Sequence, residues 1–323
     1  MTDPRAAAGS DLEALRRRAF AIAYRMLGSV AEAEDIVQET LLRFHRVREA
    51  GEPIESPPAY VATVATRLAI DHLRTARVRR EQYVGDWLPE PLVESPEGDP
   101  AQRAEMVDSL SIAFLAVLER LSPEQRAVLL LRDVFDYGYE EIAEILGQTP
   151  ANVRQLAARS RRRVREERPR FAVSRQQQDR LASSFFAAVE RGDLAALEAV
   201  LAEDVVLRGD GGGKAPALGH SIVGSAAVAR TLLAWVRMGQ RFGGSIQPVT
   251  VNGGPGALVL DPDGGLIGVW ALEIVDGVVA NIASIVNPDK LRHIAEVGSL
   301  RDALVGLRPA AVRPRGSRSE TNL

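Results

Sequence analysis

The sequence predicts a multidomain protein in which two all-α domains precede an α+β domain. Three observations carry this. Apolar residues recur at helical spacing through residues 11–80 and again through 108–170. A stretch rich in proline and acid, 81–107, interrupts them. Beyond about residue 178, two helical segments give way to short apolar runs punctuated by turn dipeptides. A length of 323 residues with 46% hydrophobic content is ample for several packed cores.

In the first domain, expected over 1–80, Leu12, Leu15, Ala19, Ile22, Ala23 and Met26 repeat at helical spacing and Gly28 ends the helix. Ser29 and Glu32 have the spacing of a capping box for a second helix reaching about Arg48. This helix carries Asp35, Gln38 and Glu39 away from Ile36, Val37 and Leu41, an acidic, solvated face. Ser56-Pro57 opens a third helix with Val61, Val64 and Leu68 on one side. Its other side bears Arg67, Asp71 and Arg74 and runs into Arg77, Arg79 and Arg80. Ion pairs along one wet helix would account for that spacing, and so would a nucleic-acid surface.

After the 81–107 linker, Ser122-Pro123-Glu124-Gln125 is another capping box and starts a helix to Val134. Glu140 to Arg163 then reads as a helix-turn-helix. Gly147 permits the turn, Thr149 caps the second helix and Pro150 occupies its first position. Val153 and Leu156 face Ile142 and Leu146, with Ala143 and Ala157 allowing close approach. The outer face keeps Asn152, Arg154, Gln155, Arg159, Arg162 and Arg163. Such amide and guanidinium groups suit base edges and phosphates in a major groove.

The third domain is expected over 171–300. Helices are predicted at Asp179–Arg191, Leu194–Ala202 and Ala226–Met238, and strands at Val205–Arg208, Ser245–Val251, Ala257–Leu260, Leu266–Val275 and Val278–Ile285. Asp263-Gly264 and Asp276-Gly277 are hairpin turn signals, so the last strands read as an antiparallel meander. The segment 301–323 has the composition of a disordered tail.

Net charge is only -3, so any nucleic-acid surface must be local. The absence of cysteine excludes disulfides and thiolate metal sites, and four scattered histidines suggest no metal centre. With no signal-peptide core and no apolar run of membrane-spanning length, a cytoplasmic protein is expected.

Residues 11–168 resemble the bacterial sigma factors of the extracytoplasmic-function group, which contain the second and fourth sigma domains joined by a linker. AEAEDIVQETLLRFHRV resembles the segment that binds the clamp coiled coil of RNA polymerase. PPAYVATVATRLAIDHLRTARVRR resembles the segment that melts and reads the minus-ten element, departing from it at Thr66-Arg67, where many relatives have Arg-Asn. LSPEQRAVLLLRDVFDYGYEEIAEILGQTPANVRQLAARSRRRVR resembles the domain that reads the minus-thirty-five element. The resemblance implies core-polymerase contacts at Asp35, Gln38 and Glu39, with the flap a further docking point. It implies minus-ten contacts at Arg67, Asp71, Arg74, Arg77, Arg79 and Arg80, and minus-thirty-five contacts from Asn152 to Arg163.

The remaining half resembles a SnoaL-like domain, a curved sheet and helices around a cone-shaped pocket, known as a fusion in one subgroup of these factors. Three motifs carry this. They are WLPEP (Trp87, Leu88, Pro89, Glu90, Pro91), DGGGK (Asp210, Gly211, Gly212, Gly213, Lys214) and NPDKL (Asn287, Pro288, Asp289, Lys290, Leu291). Lysine occurs only at Lys214 and Lys290, among 40 Lys and Arg. In so arginine-biased a chain, both ammonium groups point to sites that need a compact cation.

The linker motif is expected to dock on the C-terminal domain through Trp87 and Leu88, with Glu90 or Asp86 pairing with Lys214 or Lys290, and Trp87 mattering more than either lysine. The resulting expectation is a monomeric, non-enzymatic, cofactor-free initiation factor, regulated by its own C-terminal domain and with a pocket open to a small-molecule ligand. The alternative is a DNA-binding regulator fused to a ligand-sensing or catalytic domain of cyclase or isomerase type. Its candidate acid–base residues are Asp204, Asp210, Glu273 and His220.

Overall fold

The computed structural model describes residues 4–81, 83–94, 111–165 and 174–300, with only the backbone of 4–10, 76–81 and 165. The first helical domain is α1 (Pro4–Leu27), α2 (Val30–Glu49) and α3 (Pro57–Glu81). Gly28 ends α1 at φ 67°, and the Ser29 side chain accepts from Glu32 N–H to start α2. The second comprises α4 (Ile112–Leu118), α5 (Pro123–Asp133), α6 (Tyr139–Leu146) and α7 (Pro150–Arg165). The expected capping box of α5 forms in both directions between Ser122 and Gln125. Gly147 is left-handed at φ 63°, and Thr149 Oγ1 accepts from Asn152 N–H to cap α7. Ile142, Ala143, Val153 and Ala157 are buried between the two helices of the turn motif.

The two helical domains share one apolar core, running from Leu15 and Ile22 through Leu118 and Leu130 to Val164. The interface is also polar. Arg18 donates to the Tyr137 hydroxyl at 2.7 Å, and Arg25 lies over the Phe135 ring at 5.2 Å. Burial lowers the Arg25 pKa to about 10.

The third domain has helices α8 (Arg175–Arg191), α9 (Leu194–Val200) and α10 (Ser225–Arg241). Its sheet contains β1 (Leu201–Asp210), β2 (Ile222–Val223), β3 (Ser245–Val251), β4 (Gly254–Leu260), β5 (Leu266–Val275) and β6 (Val278–Ile285). The order is β2-β1-β6-β5-β4-β3, antiparallel apart from the parallel pair β1–β6. The meander β3–β6 is therefore as expected, whereas β2 is not among the expected strands and β1 extends beyond both ends of the expected Val205–Arg208. The helix expected to Ala202 stops at Val200, because Leu201 pairs with Val279 and the chain is already strand. A third hairpin turn, Asn252-Gly253 (φ 50° and 74°), joins β3 to β4.

Both faces of this sheet are covered. Val205, Leu207, Trp270, Leu272, Ile274 and Ile282 pack beneath α8–α10. The alternate residues Val251, Val269, Ala271, Ala283 and Ile285 meet Leu88 of the linker and Ile112 of α4. This explains why β5 is buried at nearly every position, with no polar alternation.

Candidate functional site: a clamped linker between the helical domains and a curved sheet

Alternation along β1 sends Asp210 to the linker face of the sheet, where it is 0% exposed. Three donors converge on its carboxylate: Tyr83 Oη at 2.5 Å, Leu88 N–H at 2.8 Å and Lys290 Nζ at 2.7 Å. Lys290, 6% exposed, also donates to the Leu88 carbonyl. Its ammonium lies 4.2 Å from the Trp87 ring centroid and 5.0 Å from that of Tyr83. A buried charge needs this completeness of pairing. Tyr83 in turn accepts from Asn287 Nδ2 at 2.8 Å. Burial first, then the bond to Asp210, pushes the Tyr83 phenol well above its ordinary pKa.

The glycines of DGGGK follow from this crowding. Gly212 has φ 57°, and a Cβ there would lie 2.3 Å from Asn287 Nδ2 and 3.0 Å from the Tyr83 hydroxyl. Gly213, at φ 70°, faces Val84. Lys214 pairs with Asp289 at the surface.

The linker is fastened on its other side too. Glu90 accepts from Ser29 Oγ at 2.8 Å and from Val30 N–H at 2.7 Å, and its own N–H donates to Gly28 O at 2.8 Å. A carboxylate from the linker thus caps the N-terminus of α2, where free N–H groups and the helix dipole favour negative charge. A Cβ on Gly28 would lie 2.7 Å from the Trp87 indole, so the ring rests on bare backbone. Tyr24 Oη donates to Glu90 O at 2.6 Å and accepts from Asn252 Nδ2 at 2.8 Å. Asn252 also takes Leu92 N–H at 2.9 Å and donates its own N–H to Leu92 O at 2.8 Å. Val93 bridges to Val251 beyond it. Residues 83–94 therefore form a strap tied to both domains.

The pairing expected for the lysines is corrected. Lys290 pairs with Asp210 and Lys214 with Asp289, both partners within the C-terminal domain. Glu90 instead faces α2. Burial decides this, since a buried ammonium is satisfied by the equally buried carboxylate beside it. Asp86 pairs with neither lysine. Sequence reasoning missed Tyr24, Tyr83 and Asn252. Of these, only Asn252 left a signal, in its Asn-Gly turn.

On the helix-turn-helix, Asn152, Gln155, Arg159, Arg162 and Arg163 are exposed on the outer side of α7, and Arg154 is exposed on its flank, over the Tyr139 ring. Arg154 reaches Glu140 at 2.7 Å and Asn152 reaches Gln148 at 2.9 Å. Arg161 points the other way, to Asp133 at 2.9 Å. On α3, Arg67 donates to Ile145 O at 2.8 Å and Glu144 O at 3.1 Å, at the C-terminal end of α6. Arg74 reaches Glu124 at 2.8 Å and Asp71 at 3.2 Å. The side chains of Arg77, Arg79 and Arg80 lie outside the described residues. On α2, Asp35 and Gln38 are exposed, Glu39 pairs with Arg43 at 2.7 Å, and Leu42 beside them is 50% exposed.

Between α8, α10 and the sheet lies a cavity of about 650 Å³, lined by Phe186, Trp235, Met238, Trp270 and Ser284 among others. None of Asp204, Asp210, Glu273 or His220 lines it. Glu273 accepts from Asn281 at 2.7 Å on the opposite face, beside Ile112. The four candidates for acid–base work are therefore not assembled around the cavity.

Comparison with known proteins fits this division. The family model Sigma-70 region 2 matches residues 12–79, and Sigma-70, region 4 matches residues 111–164. The chain is 38% identical to the ECF RNA polymerase sigma factor SigJ of Mycobacterium tuberculosis, over 87% of this chain and 92% of that protein. The chain belongs to the extracytoplasmic-function sigma factors. It is 33% identical to the probable sigma factor SigI of the same species, over 86% of this chain and 92% of that one. The crystal structure of the M. tuberculosis SigJ superposes with a TM-score of 0.72 at 34% identity, covering 88% of this chain and 98% of that one. This sigma factor thus carries both sigma regions, followed by the α+β domain. No helix among its described residues is long and apolar enough to cross a membrane.

Proposed function

We propose that this sigma factor is promoter-specific and is held closed by its own C-terminal domain. Asp35, Gln38 and Glu39 contact the clamp coiled coil of core polymerase, and the second helical domain docks on the flap. Arg67, Asp71, Arg74, Arg77, Arg79 and Arg80 open and read the minus-ten element. Asn152, Arg154, Gln155, Arg159, Arg162 and Arg163 read the minus-thirty-five element through bidentate base and phosphate contacts.

The observation that carries the reading is the double engagement of the linker. Trp87 and Leu88 sit in the C-terminal domain's site while Glu90 caps α2. In the same closed form, Arg67 is spent on α6 carbonyls and is unavailable to DNA. Reading two separated promoter elements requires the helical domains to part, and the strap opposes that.

Run-off transcription with core polymerase tests this, comparing the full chain with Lys290→Met and Trp87→Ala. Both variants should give more transcript per polymerase. Unchanged output from both would remove the strap from control. Absence of promoter-dependent transcript from every form would remove the initiation reading itself.

A further inference from the structure

Trp235, Trp270 and Ser284 line the 650 Å³ cavity. Trp270 and Ser284 are each only 4% exposed, yet neither indole N–H nor the Ser284 hydroxyl has a hydrogen-bond partner among the described residues. Neither donor atom is sealed from the cavity, so an acceptor within it can reach them. The rest of the wall is mainly carbon: Phe186, Val189, Met238, Ile246 and Val259. Its ionisable group, Glu190, is on the exposed flank of α8. A volume of this size suits a small molecule.

The cavity and the linker site are also two faces of one piece of sheet. Gly209 pairs with Ser284 and lines the cavity, whereas Asp210 pairs with Ile285 and holds the linker. The following loop continues this arrangement. Gly212 and Gly213 meet Tyr83 and Val84, while Pro216, Ala217 and Leu218 line the cavity. Leu218 packs on Gly209, where a Cβ would lie 3.0 Å from its backbone nitrogen. A body pressed against Leu218 and Ser284 therefore bears on the segment that positions Asp210.

The geometry points to a receptor site for an uncharged, mainly apolar small molecule bearing an acceptor oxygen, whose occupancy loosens the linker through residues 209–218. The transmission rests on the regulatory reading above, whereas the binding does not.

Nile red, a neutral dye with a carbonyl acceptor, serves as the probe, titrated into the full chain without polymerase. One saturable fluorescent site is expected. Gly239→Leu should abolish it at unchanged melting temperature, because Gly239 lines the cavity and a Cβ there meets nothing nearer than Phe242 at 3.9 Å. Ser284→Ala removes one donor with little change of shape and should weaken binding roughly three- to tenfold.

By reciprocity, releasing the linker with Trp87→Ala should tighten dye binding by the factor with which the dye loosens the linker. Undiminished binding in folded Gly239→Leu would overturn the site. Binding that appears only after removal of residues 301–323 would give the cavity to the chain's own tail and also overturn it. Equal affinities in wild type and Trp87→Ala would overturn the transmission, and because no polymerase is present that result leaves the sigma reading standing.

Discussion

Lys290 and Asp210, 80 residues apart, form a buried ion pair at 2.7 Å that the linker closes over from outside. The pair is completed by linker atoms: the Leu88 N–H binds the carboxylate, and the Leu88 carbonyl and Trp87 ring take the ammonium. The Tyr83, Leu88 and Trp87 contacts are all lost if the strap leaves. Lys290, unlike the exposed Lys214, is part of this buried site.

The two lysines should separate cleanly on mutation. Lys290→Met leaves Asp210 buried without its cation, a loss of about 3–5 kcal/mol when one partner of a buried pair is removed. Lys214→Met breaks an exposed pair with Asp289, worth under about 1 kcal/mol. Denaturant melts of both variants check this. Comparable midpoints would contradict the arrangement. Hydrogen exchange at 83–91 should rise in Lys290→Met alone.

Glu90 makes the opposite attachment, and Glu90→Gln tests it with little change of shape. The variant keeps an acceptor for Val30 N–H but loses the charge at the α2 N-terminus, about 0.5–2 kcal/mol. Proteolysis within 83–94 should accelerate while the far-ultraviolet circular dichroism is unchanged. Cleavage at the wild-type rate would mean that the contact does not restrain the strap.

Much of this fold is legible in the sequence, and the failures have physical causes. The helix-turn-helix is written in local chemistry: Gly147 for the left-handed turn, Thr149 for the cap, and Val153 and Ala157 for the buried face. The paired faces of β5 are not, because periodicity reports a half-covered strand, and here the linker and α4 cover the second face. The lone lysines announce a site without announcing its partner. The nearest acids in the linker motif are attractive candidates, but Asp210 stands in the DGGGK motif itself and becomes the partner only when β1 and the segment after β6 are brought together. Tyr24 and Tyr83 look like ordinary aromatics until the domains are docked.

The proposed polymerase contact yields a test that spares the fold. Asp35 and Gln38 are exposed on α2, beside the exposed Leu42. Asp35→Arg combined with Gln38→Ala should abolish co-purification with core polymerase at an unchanged melting temperature. Normal recovery of polymerase with the folded variant would remove this face from the interface.

The arginines of α7 offer the sharpest contrast, because neighbours in sequence serve different ends. Arg159 and Arg162 are exposed on the outer face, whereas Arg161 is turned inward to Asp133 and Tyr139, which raise its pKa further. Arg159→Ala or Arg162→Ala should therefore leave stability within about 0.5 kcal/mol of wild type. Each should weaken binding to the upstream element by about 1–3 kcal/mol if it reads a base edge. If it holds a phosphate, binding to all sequences should fall alike and the salt dependence should become shallower. Arg161→Ala should do the reverse, loosening the α7–α5 contact by about 1 kcal/mol for a pair of this exposure and leaving sequence preference unchanged. Binding isotherms on promoter and scrambled duplexes at two salt concentrations, beside thermal melts, separate these outcomes. A loss of sequence preference in Arg161→Ala without loss of stability would reverse the assignment of the two faces.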